Sequence, residues 1–282
     1  MLIEVRGTRL YVDERGSAEA PALLFLHGGP GSGSYDFLSF QGDRLAKRFH
    51  LIGVDQRGVQ QSDPLTGPVN ETDLVADFEA LRETLGLESW AILGHSFGGR
   101  LALRYAVLHP TAVSKVIFEN PAWDLLLNTE TLIRAAQRIE PTIELPPHEG
   151  PATTQLLNDR FALLHQLGNR RMEIYLGPDT QDLVLPADTE IPDELHARSG
   201  QFSEAIMHTP EFLESLLPLL AQITQPALLI KGSHDPVTSA EEITRFQSDV
   251  PTGTYYFAQN SGHFVHAEAA DGYTELVTSF LS

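Results

Sequence analysis

The chain has 282 residues, 42% hydrophobic and 20% charged, and sets 19 lysines and arginines against 38 aspartates and glutamates for a net charge of −19. That balance describes a globular protein long enough to bury a sizeable core, and no apolar run approaches the roughly eighteen residues a membrane helix needs. An acidic surface repels phosphate backbones, so nucleic acid is not an expected partner, and the lack of cysteine removes disulfides, thiolate nucleophiles and cysteine-bearing metal sites.

The first residues, MLIEVRGTRLYVDERG, carry charges at Glu4, Arg6 and Arg9 in a strand-like alternation that leaves no apolar segment for a secretory signal. A cytoplasmic location is therefore expected. Apolar runs at 22–26, 50–55, 90–93 and 115–119 read as buried strands, with helix-like stretches at 37–49, 74–85 and 101–108 between and after them. Such alternation predicts an α/β protein, a mostly parallel sheet with helices on both faces. From residue 121 to 223 the pattern changes to helices punctuated by the proline clusters EPTIELPPHEGP and LPADTEIPDE. It returns with strand-like runs in 226–235 and 254–257 and helices at 239–247 and 271–281. The expected organisation is a core domain built from 1–120 and 224–282, with 121–223 inserted as a helical cap.

The chemistry falls into three parts: a nucleophile, its base and acid, and an oxyanion loop. In AILGHSFGGRLALRYA a strand ends, Gly94-His-Ser96-Phe-Gly98 fits G-x-S-x-G, and a helix follows; the sharp turn needs small residues at Gly94 and Gly98 and lifts Ser96 above the sheet as a nucleophile. A nucleophilic serine needs a base and an orienting carboxylate. His263, on the loop NSGHF after the last strand, is the expected base, ahead of His266 and His234, and Asp235 in KGSHDPVT is the expected acid, ahead of Asp124. The third part, LLFLHGGPGSG, ends a strand in bare backbone. A tetrahedral oxyanion needs two N–H donors, and Gly29, with Gly28 next, is expected to supply one while Phe97 supplies the other. A phosphate-binding loop fails as an alternative, because no Gly-Lys-Ser/Thr follows.

With HGGPG at 27–31, VDQRGVQQS at 54–62, GHSFGG around Ser96, GSHD ending at Asp235 and GH ending at His263, the chain resembles the α/β-hydrolase family and, within it, the prolyl iminopeptidase branch. The resemblance implies a cofactor-free and metal-free enzyme that releases an N-terminal residue, especially proline, from small peptides beneath a helical cap. Two positions depart from the branch: Gln60 stands where its DQRG-x-G-x-S has a second glycine, and Phe97 stands where it carries tryptophan. The branch holds the substrate amine with cap glutamates, and the insertion offers Glu140, Glu144, Glu149, Glu173, Glu190, Glu194 and Glu204.

The leading expectation is a serine hydrolase of aminopeptidase type acting through an acyl-enzyme on a small molecule or short peptide. A carboxylesterase using the same residues is the alternative, and a cap carboxylate aimed at an amine would separate the two. A third reading is a non-catalytic binding protein on this scaffold.

Overall fold

The alternating N-terminal residues fold as a hairpin, β1 (Leu2–Val5) and β2 (Thr8–Arg15), turned at Arg6 and Gly7, both with positive φ. The apolar runs become β3 (Ala22–Leu26), β4 (His50–Val54), β5 (Trp90–His95), β6 (Val113–Glu119), β7 (Ala227–Gly232) and β8 (Gly253–Ala258). The computed structural model describes residues 1–282 and joins these strands in one sheet, ordered β1-β2-β4-β3-β5-β6-β7-β8. The hairpin pairs antiparallel, and every pairing from β4 to β8 is parallel. Successive strand residues point to opposite faces: Leu24 and Leu26 join one hydrophobic cluster and Leu23 and Phe25 the other. Burial on both faces is why the central strands β3 to β7 read as apolar runs, whereas β8, at the sheet edge, is largely exposed.

Helices α1 (Glu71–Thr84) and α2 (Phe97–Leu108) precede β6. Between β6 and β7 the chain contains only helices and turns, chiefly α3 (Leu125–Ile139), α4 (Thr154–Leu164) and α5 (Asp193–Met207). The sheet is completed around α6 (Ala240–Asp249) and α7 (Ala270–Leu281). Several starts are set by side chains that take up otherwise unpaired N–H groups: Asn70 accepts from Asp73, Asp124 from Leu126 and Leu127, and Ser239 with Glu242 forms a reciprocal capping box.

The expected helix at 37–49 forms as one helical run over 35–45, widened into a π turn at Leu38–Gly42. Arg15 accounts for part of this. Its Nη1 donates to the Leu38 carbonyl at 3.1 Å, and a Cβ on Gly42 would collide with its guanidinium. No helix is long and apolar enough to cross a membrane.

Candidate active site

β5 ends at His95 and α2 begins at Phe97, so Ser96 alone turns the chain, with φ +55° and ψ −118°. A non-glycine residue in such a conformation costs about 1–3 kcal/mol and persists only where its surroundings hold it. Here the main chain does so: Ser96 N–H donates to the Glu119 carbonyl (3.0 Å), and the Ser96 carbonyl accepts from Gly99 (2.9 Å) and Ala122 (3.1 Å). The two glycines of the motif let the segments close. A Cβ on Gly98 would strike the Leu26 carbonyl, and one on Gly94 the Gly98 carbonyl.

β7 and β8 bring the other two groups. His263 Nδ1 lies 2.6 Å from Asp235 Oδ1, both residues being buried. An ionised carboxylate only accepts, so the Nδ1 proton faces Asp235 and Nε2 is left as the acceptor. Asp235 also accepts from the backbone of Val237 (3.1 Å) and Thr238 (2.9 Å) and pairs with Lys231 Nζ at 2.9 Å. Burial by itself raises the Asp235 pKa, but the Lys231 ammonium and the His263 hydrogen bond hold it well below the usual carboxylate range. Ser96 and His263 line the same cavity, and the Ser96 hydroxyl makes no hydrogen bond to His263 or any other side chain. Such contacts are often long before substrate binds.

The His263 loop is pinned to the inserted helices. His263 N–H donates to the Tyr175 carbonyl at 2.6 Å. Glu268 accepts from Gly262 N (3.0 Å), Phe264 N (3.0 Å), Gly177 N (2.6 Å) and Thr180 Oγ1 (2.6 Å), tying both segments to one carboxylate.

Beneath the loop lies a second carboxylate–histidine pair. Glu119 accepts from His266 Nδ1 (2.9 Å), His266 N (2.9 Å) and Tyr273 OH (2.8 Å), while His95 Nε2 donates to the His263 carbonyl (3.0 Å). Burial opposes ionisation of Glu119, yet the charge and hydrogen bonds of His266 bring its pKa down to about 2. Burial, then the charge of His263, lower His95 to about 3, so it stays a neutral ring. Ligand atoms of His95, Glu119 and His266 lie within 4.8 Å of one another, the one cluster that could hold a metal ion. These groups are already committed to hydrogen bonds, and an ion would have to displace the Glu119–His266 contact.

The loop after β3 faces Ser96 from the other side. His27 Nδ1 contacts the Gly28 carbonyl (2.9 Å), and its Nε2 accepts from Gln56 N (3.2 Å), so the HGGPG and DQRG segments interlock. Burial lowers His27 to about 4, which suits this neutral accepting role. Gly29, at φ +110°, donates its N–H to no group of the protein, and Phe97 N–H lies in the first turn of α2, where no intrahelical acceptor exists. Both residues line the cavity.

That cavity encloses about 340 Å³. The inserted helices close it with Leu125, Leu132, Phe161, Met172 and Phe212. Its size and apolar wall suit a small molecule.

The α/β-hydrolase fold family matches residues 21–142, which contain β3, the Ser96 turn and β6. This match and the strand order together show the α/β-hydrolase fold. A proline iminopeptidase of Xylella fastidiosa is 38% identical over 123 residues, 42% of this chain and 39% of the relative, so the match spans well under half the relative's length. A 2-hydroxy-6-oxononadienedioate/2-hydroxy-6-oxononatrienedioate hydrolase of Pseudomonas putida is 25% identical over 93% of this chain and 88% of its own. Among solved structures, a proline iminopeptidase-related protein of Thermus thermophilus superposes with a TM-score of 0.78 at 23% identity, covering 100% of this chain and 96% of the other.

Within this α/β-hydrolase fold, Ser96, His263, Gly29 and Phe97 meet at one cavity with Asp235 directly behind His263. The alternatives fall elsewhere. His234 is exposed and contacts Ser233, His266 pairs with Glu119, and Asp124 caps α3. None of the seven cap glutamates lines the cavity; six are exposed and Glu140 is half-buried. Gln60 does adopt positive φ (+36°), the conformation that favours glycine, and its Nε2 donates to the Ser32 carbonyl at 2.6 Å. Lys231, Glu268 and Arg171 escaped the sequence reading, since each is a single polar residue without a motif. Lys231 alone left a signal, a lysine four residues before the loop acid.

Proposed function

We propose that this protein is a serine hydrolase that cleaves small carbonyl compounds through an acyl-enzyme. The observation that carries the reading is the His263–Asp235 contact placed at the cavity that also holds Ser96 and the free Gly29 N–H. Ser96 Oγ bonds to the scissile carbonyl carbon while its proton passes to His263 Nε2. Asp235 stabilises the imidazolium, and the Gly29 and Phe97 N–H groups hold the oxyanion. The tetrahedral species collapses, the bond to the leaving group breaks, and His263 returns the proton to it. Water then repeats the sequence on the acyl-enzyme, giving the acid and free Ser96. Residues 121–223 act in this reading as a cap that shuts water from the reacting atoms.

Between the two substrate readings, the cavity favours an ester or related carbonyl compound, because its wall carries no aspartate or glutamate to receive a free amine. The aminopeptidase reading draws on the 38% match to a proline iminopeptidase, confined to 42% of the chain.

The test compares turnover of short-chain p-nitrophenyl esters, a proline arylamide and an alanine arylamide by the purified protein and by Ser96→Ala. Ester turnover lost in the variant is the expected result. Proline arylamide turnover that requires a free substrate amine would transfer the assignment to an aminopeptidase. Turnover that survives in Ser96→Ala overturns the nucleophile.

A further inference from the structure

We propose that the cavity recognises a substrate carrying a carboxylate in addition to its scissile carbonyl, and that Arg171 is the residue that pairs with it. This inference deepens the serine-hydrolase reading and rests on it for the reaction, though not for the binding.

The wall of the cavity is apolar except for a few groups, and Arg171 is the one side chain among them with a permanent charge. It is half-buried, has no carboxylate within ion-pairing distance, and has only the neutral Tyr175 hydroxyl as a side-chain partner. Its neighbour behaves differently: Arg170 points outward and pairs with the exposed Glu173 at 3.0 Å. In a chain with twice as many acidic as basic residues, 38 to 19, acidic partners are plentiful. An arginine left without one, on the wall of an apolar cavity, is a charge waiting for an external partner.

Its placement fits that role. Arg171 and Tyr175 lie four residues apart on the same helical segment, and both line the cavity. Burial raises the pKa of the Tyr175 hydroxyl, and the charge and hydrogen bond of the neighbouring Arg171 guanidinium lower it. The Tyr175 ring stands 5.6 Å from the His263 ring, which sets this polar corner beside the reacting centre. A planar guanidinium matches a carboxylate through two parallel N–H donors, a geometry that also fixes orientation. An ammonium group in the same place would meet a like charge in low dielectric.

The test separates binding from chemistry. Hexanoate, hexanamide and hexylammonium are titrated calorimetrically into the wild-type protein, Arg171→Gln and Arg171→Lys. Hexanoate is expected to bind roughly 10- to 100-fold more tightly than hexanamide, the worth of one charge-assisted hydrogen-bonded contact. Hexylammonium binds weakest, Arg171→Gln erases the preference, and Arg171→Lys keeps part of it. Because Arg171 is half-buried and holds no ion pair, Arg171→Gln should melt within a few degrees of the wild type, which guards against a folding artefact. The proposal is overturned if hexanamide or hexylammonium matches hexanoate, if none binds, or if Arg171→Gln leaves the ratio unchanged. Surviving turnover in Ser96→Ala would remove the serine mechanism and leave these titrations standing.

Discussion

His263 is tied to Tyr175 through the backbone, its N–H donating to the Tyr175 carbonyl at 2.6 Å. The expected base therefore takes its position from the inserted helices as much as from the sheet. Glu268 doubles the tie by accepting from both Gly262 and Gly177. Glu268→Gln keeps the shape but loses acceptor capacity, and turnover should fall about 10- to 100-fold, as when a reacting group is misplaced by a fraction of an ångström. Faster amide hydrogen exchange at Gly177 and Gly262 would attribute the loss to the tie; unchanged exchange with unchanged turnover would refute it.

Ser96→Ala should lower turnover by about 10⁶-fold, the loss typical of triad residues that act as a unit. Asp235→Asn should cost roughly 10⁴-fold, because an amide in that place favours the wrong histidine tautomer. The two together should lose no more than Ser96→Ala alone; an additive double variant would mean that they work independently.

Glu119 supplies the pH dependence. Its native pKa of about 2 lies below its ordinary 4.5, so it binds protons less readily when folded than when unfolded. Its contribution to stability is therefore full above pH 4.5 and is lost as pH falls from there toward 2. Glu119→Gln should be destabilised at pH 7, and the gap in urea midpoint between it and the wild type should narrow at pH 4 and again at pH 3. A gap that stays constant would show that the charge contributes nothing.

Gly98→Ala places a methyl group against the Leu26 carbonyl. Neither side of that contact is a flexible side chain, so overpacking should destabilise by about 3 kcal/mol or more. A thermal melt reads the effect directly. A near-neutral result would mean that the Ser96 turn relaxes more than its three main-chain hydrogen bonds allow.

How much of this was legible follows from what each residue depends on. Chain order and strand ends point to Ser96, Asp235 and His263 as candidates, which the structure brings close together, and the central strands were readable because burial on both faces makes them apolar throughout, as in the ALLFL of β3. The π turn within the helix at 37–49 was hidden because it involves Arg15, a residue over twenty positions away. Glu268 and Lys231 act through contacts that only the folded chain creates. Arg171 has meaning only once the cavity wall is assembled, because what distinguishes it is the carboxylate it lacks.

The pairing of β6 with β7 bears on how the chain divides its parts. The chain leaves β6 at Glu119, opposite Ile230, and enters β7 at Ala227, opposite Val116, so the long excursion runs from one end of two neighbouring parallel strands back to the other. The loop-closure cost of a long detour grows only slowly with its length. The inserted part of the cavity wall, Arg171 included, belongs to this excursion, while the Ser96 turn and the Gly29 loop belong to the sheet. On the proposed function, the reacting groups lie mainly with the sheet and the selecting groups mainly in residues 121–223, with the His263–Tyr175 tie coupling the two.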